Sequence, residues 1–384
     1  MSSALTDLFP LPIVQAPMAG GVCGPRLAAA VSEAGGLGFL AAGYKTADGM
    51  YHEIKQLRQL TTRPFGVNLF VPPPAHTGVL APSAPGHPAA AAVGVYRDQL
   101  AHEASWYETQ LGDPDGDRDD GYDAKLAVLL DDPVAVVSFT FGCPTREVLD
   151  ALGRVGTLTV VTVTTPSEAR TAEEAGAAAV CAQGIEAGGH QGTHHDLPER
   201  DGAGLGLLPL VAEVRESVRL PILASGGLMR GSQIAAVLAA GAVAAQLGTA
   251  FLVTPESGAH RLHKQAVTSP IFVRTELTRA FTGRPARALV NRFTREHGPY
   301  APAVYPQLHH LTLPLIRAAE RAGDPQGMAL WAGQGHRMAR ELPAGRLVEV
   351  LAEELDDARA AARAPSGRAR AHRAARPGPR GGRK

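Results

Sequence analysis

Residues 183–190 read Gln183-Gly-Ile-Glu-Ala-Gly-Gly-His190, and the interpretation of the chain starts from this stretch. It follows the apolar run 177–182, whose small and β-branched residues predict a buried strand. Its glycines allow positive φ and let the backbone lie close to a ligand. In a chain that alternates strands and helices, ligands bind just past the carboxyl ends of the strands. A single Gly-Gly-His stretch is more often a solvated surface loop, so the interpretation depends on related stretches elsewhere.

Short apolar runs alternate with amphipathic segments along the chain. The predicted strands are 13–15, 38–41, 65–69, 134–139, 157–163, 178–182, 222–224 and 244–247. The predicted helices between them include 26–33, 50–60, 145–152, 166–175, 208–218 and 230–240. Because mostly one helix separates consecutive strands, the pattern predicts an α/β fold of the (β/α)8 TIM barrel type. A doubly wound parallel sheet is the alternative fold.

Two segments depart from this alternation. Residues 72–121 are a Pro-rich insertion after the third strand, with a helix-like piece at 89–111, which we expect over the barrel mouth. We assign residues 1–270 to the barrel and expect 271–357 to form a helical, irregular cap on the substrate side that returns to the barrel. Residues 358–384 have too few apolar groups to offset the entropy cost of ordering, so a disordered basic tail is expected.

The composition is that of a globular intracellular protein. The 384 residues are 45% hydrophobic and 19% charged, which provides enough apolar groups for a large core. Three cysteines at unrelated spacings form neither a zinc motif nor a disulfide framework, which suits a reducing cytosol. The first residues lack the features of a secretory signal, and no apolar run is long enough to cross a bilayer. We therefore expect a cytoplasmic protein without a membrane partner.

The net charge of zero conceals an uneven distribution. From Arg359 onwards there are nine basic residues and no acidic ones, which leaves 28 basic against 37 acidic residues before that point. Such a tail could contact nucleic acid. No aromatic residues are interleaved with its arginines, so a dedicated nucleic-acid partner is not expected.

Two further glycine-rich stretches follow the seventh and eighth predicted strands. They contain Ser225-Gly-Gly227 and Gln246-Leu-Gly-Thr249. In TIM barrels the loops after these two strands frequently bind phosphate. The backbone N–H groups of Gly227 and Gly248, together with the Thr249 hydroxyl, would suit such a group. Glycines also permit close packing of helix on strand, but two such loops in consecutive units favour a phosphate site.

These stretches and several others carry a family resemblance that covers almost the whole chain. The matching segments are Gln15-Ala-Pro-Met-Ala-Gly-Gly-Val22, Gly66-Val-Asn68-Leu-Phe70, residues 183–190, Ala224-Ser-Gly-Gly227, Gln246-Leu-Gly-Thr249, Thr282-Gly-Arg-Pro-Ala-Arg287 and Leu330-Trp-Ala-Gly-Gln334. In their order and spacing they resemble the nitronate monooxygenases, formerly called 2-nitropropane dioxygenases.

The resemblance implies a detoxifying oxidoreductase with flavin mononucleotide (FMN) bound in a TIM barrel. The implied reaction oxidises alkyl nitronates, such as propionate 3-nitronate, with O2 to a carbonyl compound and nitrite through a flavin semiquinone. The implied partners are therefore a small nitronate and O2. A homodimer is compatible with the sequence, although no motif predicts one.

The resemblance also assigns site residues. His190 matches the active-site histidine of the family. The positions that match FMN contacts are Asn68, Gln183, Gly188, Gly227, Gln246, Leu247, Gly248 and Thr249. Met18 and Ala19 follow the first strand and could pack against the flavin ring, and Gln334 is predicted as a further cofactor contact. No metal site is expected.

His190 could serve in either of two ways. Its ordinary pKa of ~6.5 suits a general base toward a neutral nitroalkane. If the substrate enters as a nitronate anion, no base is needed, and His190 would donate a hydrogen bond to its oxygens. The amides of Asn68 and Gln183 end apolar strands, where each could reach the polar edge of the flavin or simply cap backbone groups.

The chain departs from the family pattern at three positions. Thr140 stands where many relatives have a histidine after the fourth strand. A threonine does not titrate, so more of any proton transfer would fall on His190. Tyr305 matches a substrate-contacting tyrosine, whereas His309 and Leu313 stand where some relatives have Tyr and Lys. The positions that match flavin contacts are therefore retained more fully than those that match substrate contacts, so the resemblance supports the cofactor more strongly than the substrate.

Three other functions are consistent with parts of the sequence. An FMN-dependent enoyl-(acyl carrier protein) reductase shares a similar Glu-Ala-Gly-Gly-His segment and would consume NAD(P)H. A metal hydrolase could use His190, His194 and His195, although the neighbouring glycines argue against the helix that this spacing suits. A non-enzymatic FMN-binding protein would hold the flavin without turnover.

Overall fold

A computed structural model describes residues 3–72, 88–116, 119–196 and 204–363. The strands are β1 (Ile13–Gln15), β2 (Gly38–Ala41), β3 (Phe65–Phe70), β4 (Val136–Thr140), β5 (Leu158–Val163), β6 (Ala179–Gln183), β7 (Gly189–His190), β8 (Ile222–Ser225), β9 (Ala244–Leu247), β10 (Thr275–Thr278) and β11 (Ala286–Leu289). Eight of them pair in parallel in the order β1-β9-β8-β6-β5-β4-β3-β2. Hydrogen bonds from Gln15 N to Leu37 O (2.9 Å) and from Leu37 N to Ile13 O (3.0 Å) join β1 to the residue before β2. The sheet therefore closes into the TIM barrel that the sequence predicts, and the doubly wound alternative is wrong.

The interior of the barrel changes from apolar to polar along the strands. Its lower layer is a cluster of buried side chains that includes Val14, Leu37, Phe39, Val136, Val160, Ala179, Cys181, Leu223 and Ala244. Because side chains on a strand alternate between two faces, the residues two positions further on face the same interior. Those residues are Ser138, Thr162, Gln183, Ser225 and Gln246. The carboxyl end of the barrel thus receives a ring of hydrogen-bonding groups.

Helices surround the barrel and extend beyond it. They are α1 (Ser3–Thr6), α2 (Pro25–Glu33), α3 (Ala47–Leu60), α4 (Pro88–Gln99), α5 (Ala101–Trp106), α6 (Tyr122–Asp131), α7 (Arg146–Arg154), α8 (Pro166–Ala175), α9 (Leu207–Ser217), α10 (Gly231–Ala239), α11 (Thr249–Leu252), α12 (Arg261–Thr268), α13 (Arg292–His297), α14 (Gln307–Ala322) and α15 (Ala344–Arg363), with 3-10 turns at Gly298–Tyr300 and His336–Met338. No helix of the described ranges is both long and apolar enough to span a membrane.

Helix α8 shows why these segments fold as the sequence predicts. Thr165 accepts a hydrogen bond from Glu168 N (3.1 Å), and the Glu168 carboxylate accepts one from Thr165 N (3.2 Å), which forms a capping box. Gly176 ends the helix with φ of 97°, a left-handed conformation that favours glycine. The helix therefore begins and ends where the local sequence satisfies its free backbone groups.

The C-terminal segment differs from the helical cap that we expected over 271–357. It contains strands β10 and β11, which form an antiparallel sheet with β7 in the order β10-β11-β7. Residues 286 and 190 are partners in this sheet, as are 287 and 189. The two strands are only four residues long and mix polar with apolar side chains, so their periodicity was too weak to predict. The sheet matters because it holds His190 by its backbone.

The insertion and the C-terminal end of the described chain differ in detail from the predicted bounds. The helix-like piece expected over 89–111 is two helices, α4 and α5. Helix α15 packs on α10 and α2, and it continues to Arg363, past the predicted start of the tail at 358. The rest of that tail, and residues 73–87 of the insertion, lie outside the described residues.

Candidate active site

Asn68 lies at the carboxyl end of β3 and is held by the next strand. Its Nδ2 donates to Ser138 Oγ (2.9 Å) and Thr140 Oγ1 (3.0 Å), and the side chain is buried. Its carbonyl oxygen has no hydrogen-bond partner among the residues that the structure describes. Ser138 and Thr140 therefore orient the Asn68 amide and leave an acceptor free for a ligand.

Gln183 fixes the loop that carries His190. Its Oε1 accepts from Gly192 N (2.7 Å), and its Nε2 donates to His190 O (3.1 Å). Within this loop Gly188 packs so closely against Gly333 that an added Cβ would lie 2.5 Å from Gly333 N. The predicted FMN contacts Gln183 and Gly188 thus have clear structural roles, and any contact with a cofactor would be additional to them.

His190 lies half-buried above the barrel with its ring fixed at one nitrogen. Its Nε2 is 3.0 Å from Thr282 Oγ1, which is also hydrogen-bonded to the backbone of Arg284. Three aromatic rings surround the imidazole, with centre-to-centre distances of 5.5 Å to Phe141, 5.6 Å to Trp331 and 5.9 Å to Tyr305. The histidine is therefore positioned by both β11 and the segment before it.

The environment of His190 keeps its imidazole neutral. Removal from water, followed by the charges of Arg284 and His309, lowers the pKa of His190 to about 3. A neutral imidazole can donate or accept a hydrogen bond through its free nitrogen, but a group with so low a pKa is a weak base near pH 7. This surrounding favours the hydrogen-bonding role over the general-base role considered above.

An aromatic group, which the sequence did not predict as a set, extends around His190. Tyr44 stacks on His309 with ring centres 4.1 Å apart, and the Tyr305 hydroxyl donates a hydrogen bond of 3.2 Å to the Tyr44 hydroxyl. Phe70 joins Tyr44 to Phe141, at 5.4 and 4.6 Å between ring centres. Tyr44 and Phe141 lie in the loops after β2 and β4, Phe70 is the last residue of β3, and Tyr305 and His309 lie just before and on α14. Only the fold brings them together. They form an apolar rim at the mouth of the barrel.

The glycine-rich loops after β8 and β9 meet the segment around Gln334. Gly333 N donates to Thr249 Oγ1 (2.9 Å), and Gln334 N donates to Glu186 O (3.0 Å). Within the described ranges the N–H groups of Gly227 and Gly248 have no hydrogen-bond partner. A Cβ added to Gly227, in the loop after β8, would lie 3.1 Å from Glu186 Cβ. The loop that carries His190 and these two loops therefore converge on one corner, where two backbone donors remain free.

The other predicted FMN contacts differ in burial and in the direction of their side chains. Gln246 faces the interior and donates to Cys181 Sγ (3.3 Å), and Met18 is half-buried with Sδ 3.7 Å from where a Gly248 Cβ would stand. Leu247 is buried in the core between sheet and helices, so only its backbone can reach a ligand. The remaining two are Ala19, which is half-buried, and Gln334, whose side chain is exposed.

The three histidines of the metal-hydrolase alternative do not converge. His194 Nε2 lies 2.9 Å from Thr162 O, and its backbone N–H donates to Glu168 (2.8 Å), while His190 is bound to Thr282. In the described part of the chain the ligand-type side chains that do converge are Glu103, Glu296 and His297, and there Arg292 already binds the Glu103 carboxylate. The geometry gives that alternative no support.

The lowered pKa of His190 can be checked directly. Since the pKa in the folded protein, about 3, is below the ordinary value of 6.5, the unfolded chain gains a proton first as pH falls. The stability that neutral His190 contributes is then complete above about pH 6.5 and is lost as pH falls towards 3. We expect the ring resonances of His190, assigned with His190→Asn, to stay at their neutral positions from pH 8 to pH 5. A midpoint near 6.5 would contradict this environment.

Comparison with known proteins agrees with this arrangement. The family model described as nitronate monooxygenase matches residues 2–354. A nitronate monooxygenase of Pseudomonas aeruginosa is 42% identical over 359 residues, which cover 90% of this chain and 96% of that protein. The crystal structure of a nitroalkane oxidase from Streptomyces ansochromogenes is 73% identical with a TM-score of 0.89, and the match covers 94% of this chain and all of that one.

More distant structures share the same barrel. FabK from Thermotoga maritima is 29% identical with a TM-score of 0.70, over 94% of this chain and 97% of that one. The family model and the Pseudomonas relative each extend over most of the chain. The chain therefore belongs to the nitronate monooxygenase family.

Proposed function

We propose that the protein is an FMN-dependent nitronate monooxygenase that oxidises alkyl nitronates with O2 to a carbonyl compound and nitrite. The observation that carries the proposal is the position of neutral His190 between a ring of polar strand-end groups and a corner with free backbone donors. Family membership supports the same reaction class. The active-site residues we propose are those predicted from the sequence.

The corner formed by the loops after β8 and β9 fits the phosphate of FMN. The N–H groups of Gly227 and Gly248 and the Thr249 hydroxyl are donors of the kind that bind phosphate. Gly248 has an ordinary φ of −104°, and a Cβ there would make only normal contacts, 3.6 Å to Ala16 and 3.7 Å to Met18. The fold does not require glycine at this position, so we infer that the ligand does.

The remaining residues would bind and orient the reactants. The free carbonyl oxygen of Asn68 can accept a hydrogen bond from the polar edge of a flavin. His190 can donate to the oxygens of a nitronate, and the rings of Tyr44, Phe141 and Tyr305 exclude water from this space. Bound FMN would supply the electron-transfer chemistry that these side chains lack.

Gly248→Asp tests the placement of the phosphate. The added side chain fits the protein but would bring a like charge against the phosphate, and two charges ~4 Å apart repel by about 4 kcal/mol near a protein surface. We expect the variant to fold normally and to bind FMN more than about 100-fold more weakly, so that it is colourless when purified. The measurement is flavin absorbance per protein, with circular dichroism to verify folding.

Gly153→Asp is the matched control for that variant. Gly153 lies on α7, which leads to the amino end of β5, and nothing stands within 4 Å of an added Cβ. The Gly153→Asp variant carries the same charge change as Gly248→Asp and should remain yellow. Stoichiometric FMN in folded Gly248→Asp would show that the phosphate lies elsewhere.

His190→Asn tests the role of the histidine. If neutral His190 donates a hydrogen bond to the nitronate, its loss should lower kcat/KM on pre-formed ethyl nitronate by about 10- to 150-fold, the equivalent of ~1.5–3 kcal/mol. The wild-type enzyme should turn over neutral nitroethane far more slowly than the nitronate, because its histidine is a weak base. His52→Asn, on the exposed face of α3, should leave both rates unchanged.

One result of that experiment and one separate assay would be decisive. Comparable rates on nitroethane and its nitronate, with only the former lost in His190→Asn, would make His190 a general base and contradict the hydrogen-bonding role. Oxidation of NAD(P)H with an enoyl thioester, without nitrite release from nitronates, would favour the enoyl-(acyl carrier protein) reductase instead.

A further inference from the structure

Arg284 is a buried cation beside His190. Only 7% of its surface is exposed. Its Cζ lies 4.1 Å from the centre of the Phe141 ring and 5.9 Å from that of Tyr305. His190 contacts the same two rings, at 5.5 and 5.9 Å between ring centres. Arg284 and His190 therefore border one space at the barrel mouth.

The charge of Arg284 has no counter-ion in the described chain. Its Nη2 donates to Thr193 O, whereas its Nε is buried without a hydrogen-bond partner. The carboxylate of Asp196 is already bound by Arg279 through two hydrogen bonds of 2.8 Å. A buried cation without a paired anion is unfavourable, and an incoming anion would relieve that cost.

The contrast between Arg284 and two other arginines of the C-terminal segment supports a binding role. Arg279 and Arg292 are each held by a carboxylate, of Asp196 and Glu103 respectively. Arg284 instead stacks on an aromatic ring, an arrangement that orients the guanidinium plane and leaves N–H donors available. Within the described residues, the contacts of Arg284 thus position its side chain but leave its charge unpaired and some of its N–H groups without hydrogen bonds.

We propose that Arg284 binds the negatively charged group of the substrate, a planar anion with two oxygens held next to His190. The fork of N–H donors on a guanidinium matches the two oxygens of such an anion. The nitronate group has this shape and charge, and so does a carboxylate on the carbon chain of a nitronate. The identity of the substrate rests on the proposed function. The existence of the anion site does not.

The first experiment measures anion binding without turnover. Isothermal titration with sodium nitrate, a planar unreactive oxyanion, is performed on FMN-loaded wild type, Arg284→Met, Arg284→Lys and Arg274→Met. Arg284→Met should bind nitrate about 10- to 100-fold more weakly than wild type, as expected for a lost charged hydrogen bond. Arg284→Lys keeps the charge but loses the fork, so its affinity should be intermediate. Arg274, whose side chain is 68% exposed, supplies the same charge change and should bind like wild type.

The second experiment separates the two sources of the anion. KM is measured with ethyl nitronate, which carries one charge, and with propionate 3-nitronate, which also carries a carboxylate. A rise in KM for both substrates in the Arg284 variants, with a smaller change in kcat, places the nitronate group on Arg284. A rise for propionate 3-nitronate alone places the carboxylate there.

Several results would overturn the proposal. Wild type that does not bind nitrate would exclude the anion site even if nitronates are turned over. Equal nitrate affinity in wild type and Arg284→Lys would exclude it if Arg284→Met fails to fold. Loss of FMN from the Arg284 variants with unchanged nitrate affinity would place the residue in the cofactor site. Nitrate binding that depends on Arg284, in a protein that does not oxidise nitronates, would support the anion site and contradict the proposed function.

Discussion

Alternate side chains of each parallel strand point toward the barrel axis. This period of two determines at which level of the barrel interior each polar side chain lies. The lower layer, with Val136, Val160 and Leu223, is apolar and packs the barrel. Two residues further on, the same strands present Ser138, Thr162 and Ser225. A shift of one residue in any strand would turn its polar group into the outer core, where it would be unsatisfied. The site therefore depends on strand register before it depends on any loop.

The position of His190 depends on a second constraint, the antiparallel pairing of β7 with β11. Gln183 holds the loop from the barrel side, and β11 holds it from the C-terminal segment. The same segment supplies Thr282 to the imidazole and Arg284 to the adjoining space. Charge and hydrogen bonding are coupled there, because burial lowers the pKa of His190 and the cation that would bind the substrate anion lowers it further. The cap is thus part of the site and not only a cover.

The strands of the barrel could be predicted from the sequence, but the arrangement of residues at its mouth could not. All eight barrel strands could be predicted because each is a short apolar run next to a helix with its own caps, as at Thr165 and Gly176. The convergence of Gly227 with Gly248 could be predicted because parallel strands end at one edge. Strands β10 and β11 could not, since four mixed residues carry no clear period. The partnership of Arg284 with His190 joins residues far apart in the chain, so only tertiary structure reveals it.

The proposed binding of a flavin above the barrel, next to His190, for use on nitronates can be tested by visible absorption spectroscopy of the purified protein under anaerobic conditions. We expect a flavin spectrum before any addition, loss of the oxidised flavin absorbance when ethyl nitronate is added, and its return with nitrite release when O2 is admitted. A colourless protein that still folds would contradict flavin binding, and a yellow one whose spectrum does not change with any nitronate would contradict the proposed reaction.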